Sequence, residues 1–280
     1  MKSHLLALHG LKWNPFASDV PHEALWAPEP VETFCRRMAH LVSEGGFALV
    51  AGDPGCGKSS AMRLLHSKMS SMRDATVGSL EHPQSRLGDF YRELGDIFGV
   101  CLSPRNRWGG FKALREKWQH HMSSTSWRPV LLVDEAQEMN DAVLNELRIL
   151  STGKFDSANL LTVCLAGDGR LLDKLTSQEL LPLAGRIKVR LNLGYCTPAQ
   201  LLAYLQHALQ LAGNPSLMTE QLCKTLCDRA AGNLRILNNT ANQLLVEAVH
   251  RQMPQLDEQL YLQLFDTAIQ RKTQPVRRAS

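Results

Sequence analysis

The chain has 280 residues, of which 44% are hydrophobic and 21% charged; this composition excludes intrinsic disorder and suits one α/β core with a smaller appended domain. No apolar run approaches the ~20 residues that span a bilayer, and Leu5-Leu6-Ala7-Leu8 is too short for a signal-peptide core, so neither a membrane partner nor export is expected. The net charge of +4 is carried entirely by the tail 271–280, RKTQPVRRAS, which either solubilises an end or touches nucleic acid.

Seven cysteines stand at 35, 56, 101, 164, 196, 223 and 227 with no CxxC pair, and they read as buried thiols in a reducing cytoplasm. In chain order, a helical apolar period over 31–43 precedes FALVA at 47–51, which reads as a buried strand. The following Gly52, Asp53, Pro54, Gly55, Cys56, Gly57, Lys58 and Ser59 match GxxxxGK[ST], and a helical pattern over 58–72 comes next. Glycines let backbone N–H groups turn inward on phosphates, and the helix that follows adds its positive end. Lys58 is therefore expected on the β- and γ-phosphates of ATP, Ser59 on Mg²⁺, and Ser60 at the end of the nucleotide-binding stretch.

A strand at 76–80 and helices at 85–98 and 109–122 follow, with the basic and aromatic stretch 103–112 around the start of the last. PVLLV at 129–133 is a strand that ends in Asp134 and Glu135, ahead of a helix over 139–150. Adjacent carboxylates at a strand's carboxyl end form a Walker B pattern, in which Asp134 holds Mg²⁺ and Glu135 polarises the attacking water. The competing reading is that one of them caps the next helix. A fourth strand at 160–166 runs into Gly167 and Asp168, a helix covers 170–180, and Gly185 and Arg186 lead into a fifth strand at 187–191.

Beyond residue 193 the strands cease. Thr197 and Pro198 read as N-cap and first-turn proline of a helix over 198–212, with more at 219–230, 234–251 and 256–269. The expected fold is α/β: a P-loop NTPase with a parallel five-stranded sheet, helices on both faces, and a small all-helical lid. Its expected parts are an N-terminal arm and helix packing on the ATPase core (1–45), the nucleotide-binding domain (46–193), the lid (194–270) and the basic tail (271–280).

These sites, in this order and spacing, resemble the AAA+ ATPases of the ExeA/TniB/TnsC/MuB group over nearly the whole chain. The likeness is most specific in Leu11-Lys12-Trp13-Asn14-Pro15-Phe16 and Glu44-Gly45-Gly46-Phe47-Ala48-Leu49-Val50, which look like the opening of ExeA-type ATPase domains. It implies a sensor 1 role for Asp168, although AAA+ proteins more often carry Asn, Ser or Thr there and a plain turn role fits equally. Arg186, with Arg190 as fallback, is implied to be an arginine finger acting on the neighbouring subunit's nucleotide; the alternative is a salt-bridged surface arginine. Gly232-Asn233-Leu234-Arg235 is similar to the sensor 2 motif, so Arg235 is expected on the nucleotide, unless this stretch only caps a helix. Asn14, Pro15 and Phe16 either line the adenine pocket or pack an arm on the core.

ExeA-type ATPases carry a membrane segment and a wall-binding domain after the ATPase, and the sequence stops before either. The resemblance therefore points to the short transposition ATPases, which oligomerise on DNA with ATP and recruit or activate a transposase or integrase, with slow hydrolysis. Expected partners are duplex DNA without sequence preference, a transposase or integrase, and further copies in a ring or helical filament. Arg105, Arg107 and Lys112 are the DNA candidates, with ordinary solvated surface as the alternative, while Trp108 and Phe111 are expected in the core. A helicase loader of the DnaC/IstB kind and a soluble secretion-assembly ATPase with protein partners are the other readings.

Overall fold

The computed structural model describes residues 2–102, 106–125, 127–153 and 157–266, and its contacts divide the chain into two compact units, 27–194 and the remainder. Within the stretch 1–45, expected as an arm and a helix, the chain changes unit between Trp26 and Ala27. Leu5, Leu11 and Phe16 are buried in the core of the helical unit, beside Leu209 and Leu245. The first helix, α1 (Lys2–His9), leans on a long lid helix in the same unit.

In the α/β unit, α2 (Glu29–Glu44) starts with a proline in its first turn and stops at Gly45, whose φ of +72° a side chain would strain. Among the described residues the five strands of the main sheet are β1 (Gly46–Gly52), β2 (Ala75–Leu80), β3 (Arg128–Val133), β4 (Thr162–Gly167) and β5 (Ile187–Leu193). They pair in parallel in the order β2-β3-β4-β1-β5, as the alternation of strands and helices predicts. The connecting helices are α3 (Lys58–Ser70), α4 (Leu87–Phe98), α5 (Arg107–Ser124), α6 (Asp141–Leu150), α7 (Gly169–Leu175) and α8 (Leu181–Ala184).

Strand side chains alternate between two covered faces. Phe47, Leu49, Leu131, Val133, Val163 and Leu165 join the core built from α4 to α8. On the other face α2 and α3 pack, where the Cys164 thiol lies 3.8 Å from the Met62 sulfur. Each such fully buried aliphatic side chain contributes about 1.5–3 kcal/mol. The helix expected over 170–180 stops at Leu175, because the Thr176 hydroxyl turns back to donate to the Asp173 carbonyl at 2.7 Å.

The helical unit holds α9 (Pro198–Ala212), α10 (Glu220–Ala230), α11 (Leu234–His250) and α12 (Glu258–Tyr261). Thr197 and Gln200 form a capping box on α9, each side chain serving the other's backbone N–H. The last predicted helix starts at Glu258 rather than 256, because Leu256 bridges to Met218 and exchanges backbone bonds with Leu217 and Thr219 at 2.8 and 3.0 Å. Among the described residues no helix is long and apolar enough to cross a membrane.

Candidate nucleotide-binding site

Parallel pairing carries three functional turns to one edge of the sheet. β1 and β4 run in register from Gly46↔Thr162 to Ala51↔Gly167, and β3 lies beside β4 with Val133 opposite Leu165. The residues after β1, β3 and β4 therefore emerge side by side at the carboxyl edge, where ligands of open α/β sheets bind.

The loop after β1 is built by its glycines. A Cβ on Gly52 would stand 2.4 Å from the Leu193 carbonyl oxygen, so only glycine lets β1 end this close to β5. Gly55 and Gly57 hold φ of +89° and +95°, which turns the loop inward just before α3. Asp53 and Pro54 form the exposed outer rim, whereas Cys56 is buried and burial pushes its thiol pKa up, leaving that residue to act through its backbone.

Lys58 opens α3 with only 7% of its surface exposed, and its ammonium donates to the Gly52 carbonyl at 2.8 Å and the Asp53 carbonyl at 3.2 Å. Those two bonds curl the charge back over the loop, which is the placement a phosphate clamp needs. Ser59 and Ser60 are exposed on the first turn of α3. Left-handed glycines, a buried ammonium and a helix N-terminus together fit a polyphosphate.

At the end of β3, the half-buried Asp134 accepts the Glu135 backbone N–H at 2.9 Å. Glu135 sits in the left-handed region at φ +52°, uncommon for a residue with a side chain, and that side chain makes no capping bond. The helix-cap reading of Glu135 therefore does not hold. Its carboxylate instead accepts a hydrogen bond from the buried Gln137 amide.

Asp168 ends β4 by capping α7, accepting the Arg170 N–H at 2.9 Å. The Arg170 guanidinium also bonds both Asp168 oxygens and reaches Glu138 at 2.9 Å. Those bonds from Arg170 hold the Asp168 carboxyl below its usual range. The acid beside the phosphate loop is thus charge-compensated by Arg170.

Residues 39–175 match the family described as AAA domain. This match, the parallel sheet and the phosphate loop together make the α/β unit a P-loop NTPase and the chain an ATPase. The chain is also 29% identical over 247 residues to General secretion pathway protein A of Aeromonas hydrophila, covering 86% of this chain and 44% of that protein. It thus spans less than half the length of that relative. Among solved structures, the Aeropyrum pernix ORC2 protein in ADPNP-ADP complexes superposes with TM-score 0.70 at 13% identity, over 90% of this chain and 71% of that one. Drosophila ORC bound to DNA gives 0.69 at 19% identity, over 100% of this chain and 70% of its own.

Arg186 immediately precedes β5, is half-buried and donates to the Arg148 carbonyl at 3.4 Å; Arg190, within β5, donates to the Ala184 carbonyl at 3.3 Å. In the helical unit Asn233 caps α11 by accepting the Arg235 N–H at 2.9 Å, and the Arg235 side chain is exposed. Gly232 is required there, since a Cβ would stand 2.7 Å from the Cys196 carbonyl oxygen. Asn14 donates to the Asn242 side chain at 2.7 Å and Phe16 is buried, both within the helical unit.

Of the DNA candidates, Arg105 and the tail 271–280 lie outside the described residues. Arg107 is committed to Glu146, and Lys112 makes an exposed pair with Glu116 at 3.7 Å. Trp108 was expected in the core but is 73% exposed, because α5 begins at Arg107 and turns the indole outward to stack on Phe111 with ring centroids 5.8 Å apart. Sequence reasoning missed Gln137 and Arg170; a signal for both existed, as each stands two residues after a motif carboxylate.

Proposed function

We propose that the chain is a nucleotide-switched assembly ATPase: Lys58, Ser59 and the loop glycines hold ATP, and Glu135 sets the lifetime of the ATP state. The observation that carries the reading is the clustering of the buried Lys58 ammonium and the Asp134–Glu135 and Asp168 turns on one sheet edge. Asp134 and Ser59 would hold Mg²⁺ through oxygen, and the ion would supply charge neutralisation for the phosphates. Glu135 takes a proton from water as the water oxygen bonds the γ-phosphorus; the bond to the bridging oxygen breaks and ADP leaves with that electron pair. Arg186 supplies its guanidinium to a neighbouring copy, which makes a homo-oligomeric ring or filament the active form.

For the partner we favour duplex DNA, bound through phosphates without sequence preference and coupled to a transposase or integrase. Support comes from the basic stretch around Lys112, the basic tail, and the likeness of the fold to an ORC structure bound to DNA. A second reading, an assembly ATPase with protein partners only, is favoured by the match to General secretion pathway protein A. Sedimentation with duplex DNA separates the two. DNA-dependent pelleting with ATP, lost with ADP and in Lys58→Ala, supports the first reading, whereas pelleting indifferent to DNA refutes it. Each phosphate contact removed should lower the salt slope by about 0.9.

A further inference from the structure

Between the Walker B turn and the end of β4 stands a side chain that neither motif includes. Gln137 is 4% exposed and lies on the short helical turn Ala136–Glu138. Its Nε2 donates to the Glu135 carboxylate, while its Oε1 accepts the Asp168 backbone N–H at 3.3 Å. A primary amide has the chemistry for both bonds, since it donates from one end and accepts at the other. The turn packs tightly around it: a Cβ on Gly167 would stand 2.7 Å from Gln137 Oε1, and 2.7 and 2.9 Å from Leu171 Cδ2 and Cβ.

We infer that Gln137 is a positioning residue, which fixes the Glu135 carboxylate and ties its orientation to the Gly167–Asp168 turn. Glu135 is exposed and sits on a left-handed residue, so without this bond its carboxylate has many rotamers and no neighbour to select one. A buried amide held at both ends removes that freedom. Because Asp168 sits at the phosphate-facing edge, any shift of that turn on nucleotide binding passes through one side chain to the hydrolytic carboxylate. The inference rests on the reading of Glu135 as the residue that takes the water's proton.

The test has a spectroscopic and a kinetic arm. In nucleotide-free protein, the Gln137 side-chain N–H resonance should lie downfield and return upfield in Glu135→Ala, and the Asp168 amide resonance should move in Gln137→Ala. Kinetically, Gln137→Ala should lower kcat about tenfold to a hundredfold with little change in ATP affinity, the scale of a misplaced catalytic group. Gln137→Met keeps the length but loses both bonds, so it carries the test if the alanine variant unfolds. The deciding comparison is the double variant Glu135→Gln/Gln137→Ala, which should be no slower than Glu135→Gln alone. A double variant slower by the full Gln137→Ala factor, or resonances unmoved, overturns the inference. Glu135→Gln at wild-type rate overturns the reading of Glu135 instead.

Discussion

Arg107 looks in the sequence like a phosphate contact, yet its guanidinium donates twice to Glu146, whose side chain is only 4% exposed, and the Tyr91 hydroxyl donates to the same carboxylate at 2.5 Å. Burial pushes the Glu146 pKa up, but the bonds from Arg107 and Tyr91 outweigh it and leave the carboxyl below its usual range. The stabilisation from this pair is therefore present above the ordinary glutamate pKa and is lost as pH falls through the lower folded value. Arg107→Ala should strand a buried carboxylate and cost about 3 kcal/mol in urea unfolding at neutral pH, the low end for breaking a buried pair because water reaches the arginine side. Glu146→Gln in the same chain should recover part of that loss. Lys112→Ala breaks only an exposed pair and should cost under about 0.5 kcal/mol. If Arg107→Ala unfolds like the wild type yet weakens DNA binding, Arg107 is a phosphate contact after all.

Secondary elements divide by how local their cause is. The strands, the phosphate loop and the α9 cap are legible in sequence because each is dictated within a dozen residues, by apolar runs, by glycines before Lys58 and by Thr197 with Pro198. What escapes is set by distance along the chain: Arg107 finds Glu146 across 39 positions, and His9 meets Pro254 across 245. The short α1 escapes for the same reason, since eight residues make no stable helix in water and only burial of Leu5 in the lid core holds it. His9, its last residue, is 3% exposed, and burial lowers its pKa below the usual 6.5. The unfolded chain then binds more protons between the two values, so stability rises with pH across that window and is lost as pH falls below 6.5. Urea midpoints at pH 5.5 and 7.5, about one unit either side of that value, should differ in the wild type and converge in His9→Gln. An unchanged difference in the variant assigns the pH dependence to another group.

For the whole molecule the parallel register sets which nucleotide Arg186 can serve. Phe47 pairs with Ile187 and Gly52 with Leu193, so Arg186 stands at the amino edge of the sheet while the phosphate loop leaves from the carboxyl edge. Six strand residues at about 3.3 Å each separate the two edges by roughly 20 Å, beyond the reach of one arginine side chain. If Arg186 acts on nucleotide at all, it acts on another copy's, and such head-to-tail contacts build rings or helical filaments rather than two-fold dimers. Arg186→Ala should then bind ATP normally but hydrolyse it about 10³-fold more slowly, the scale at which arginine fingers act. Lys58→Ala should be inactive for the complementary reason, because it cannot hold the nucleotide. Mixing the two inactive proteins should restore part of the activity, since only the mixture contains an interface with an intact loop on one side and an intact Arg186 on the other. Arg186 also donates to the Arg148 carbonyl, so the urea midpoint of the variant is measured first and should show it folded under the conditions of the mixing test. A mixture that co-assembles yet stays inactive excludes action in trans by Arg186 and transfers the role to Arg190, whose side chain is exposed on the same strand.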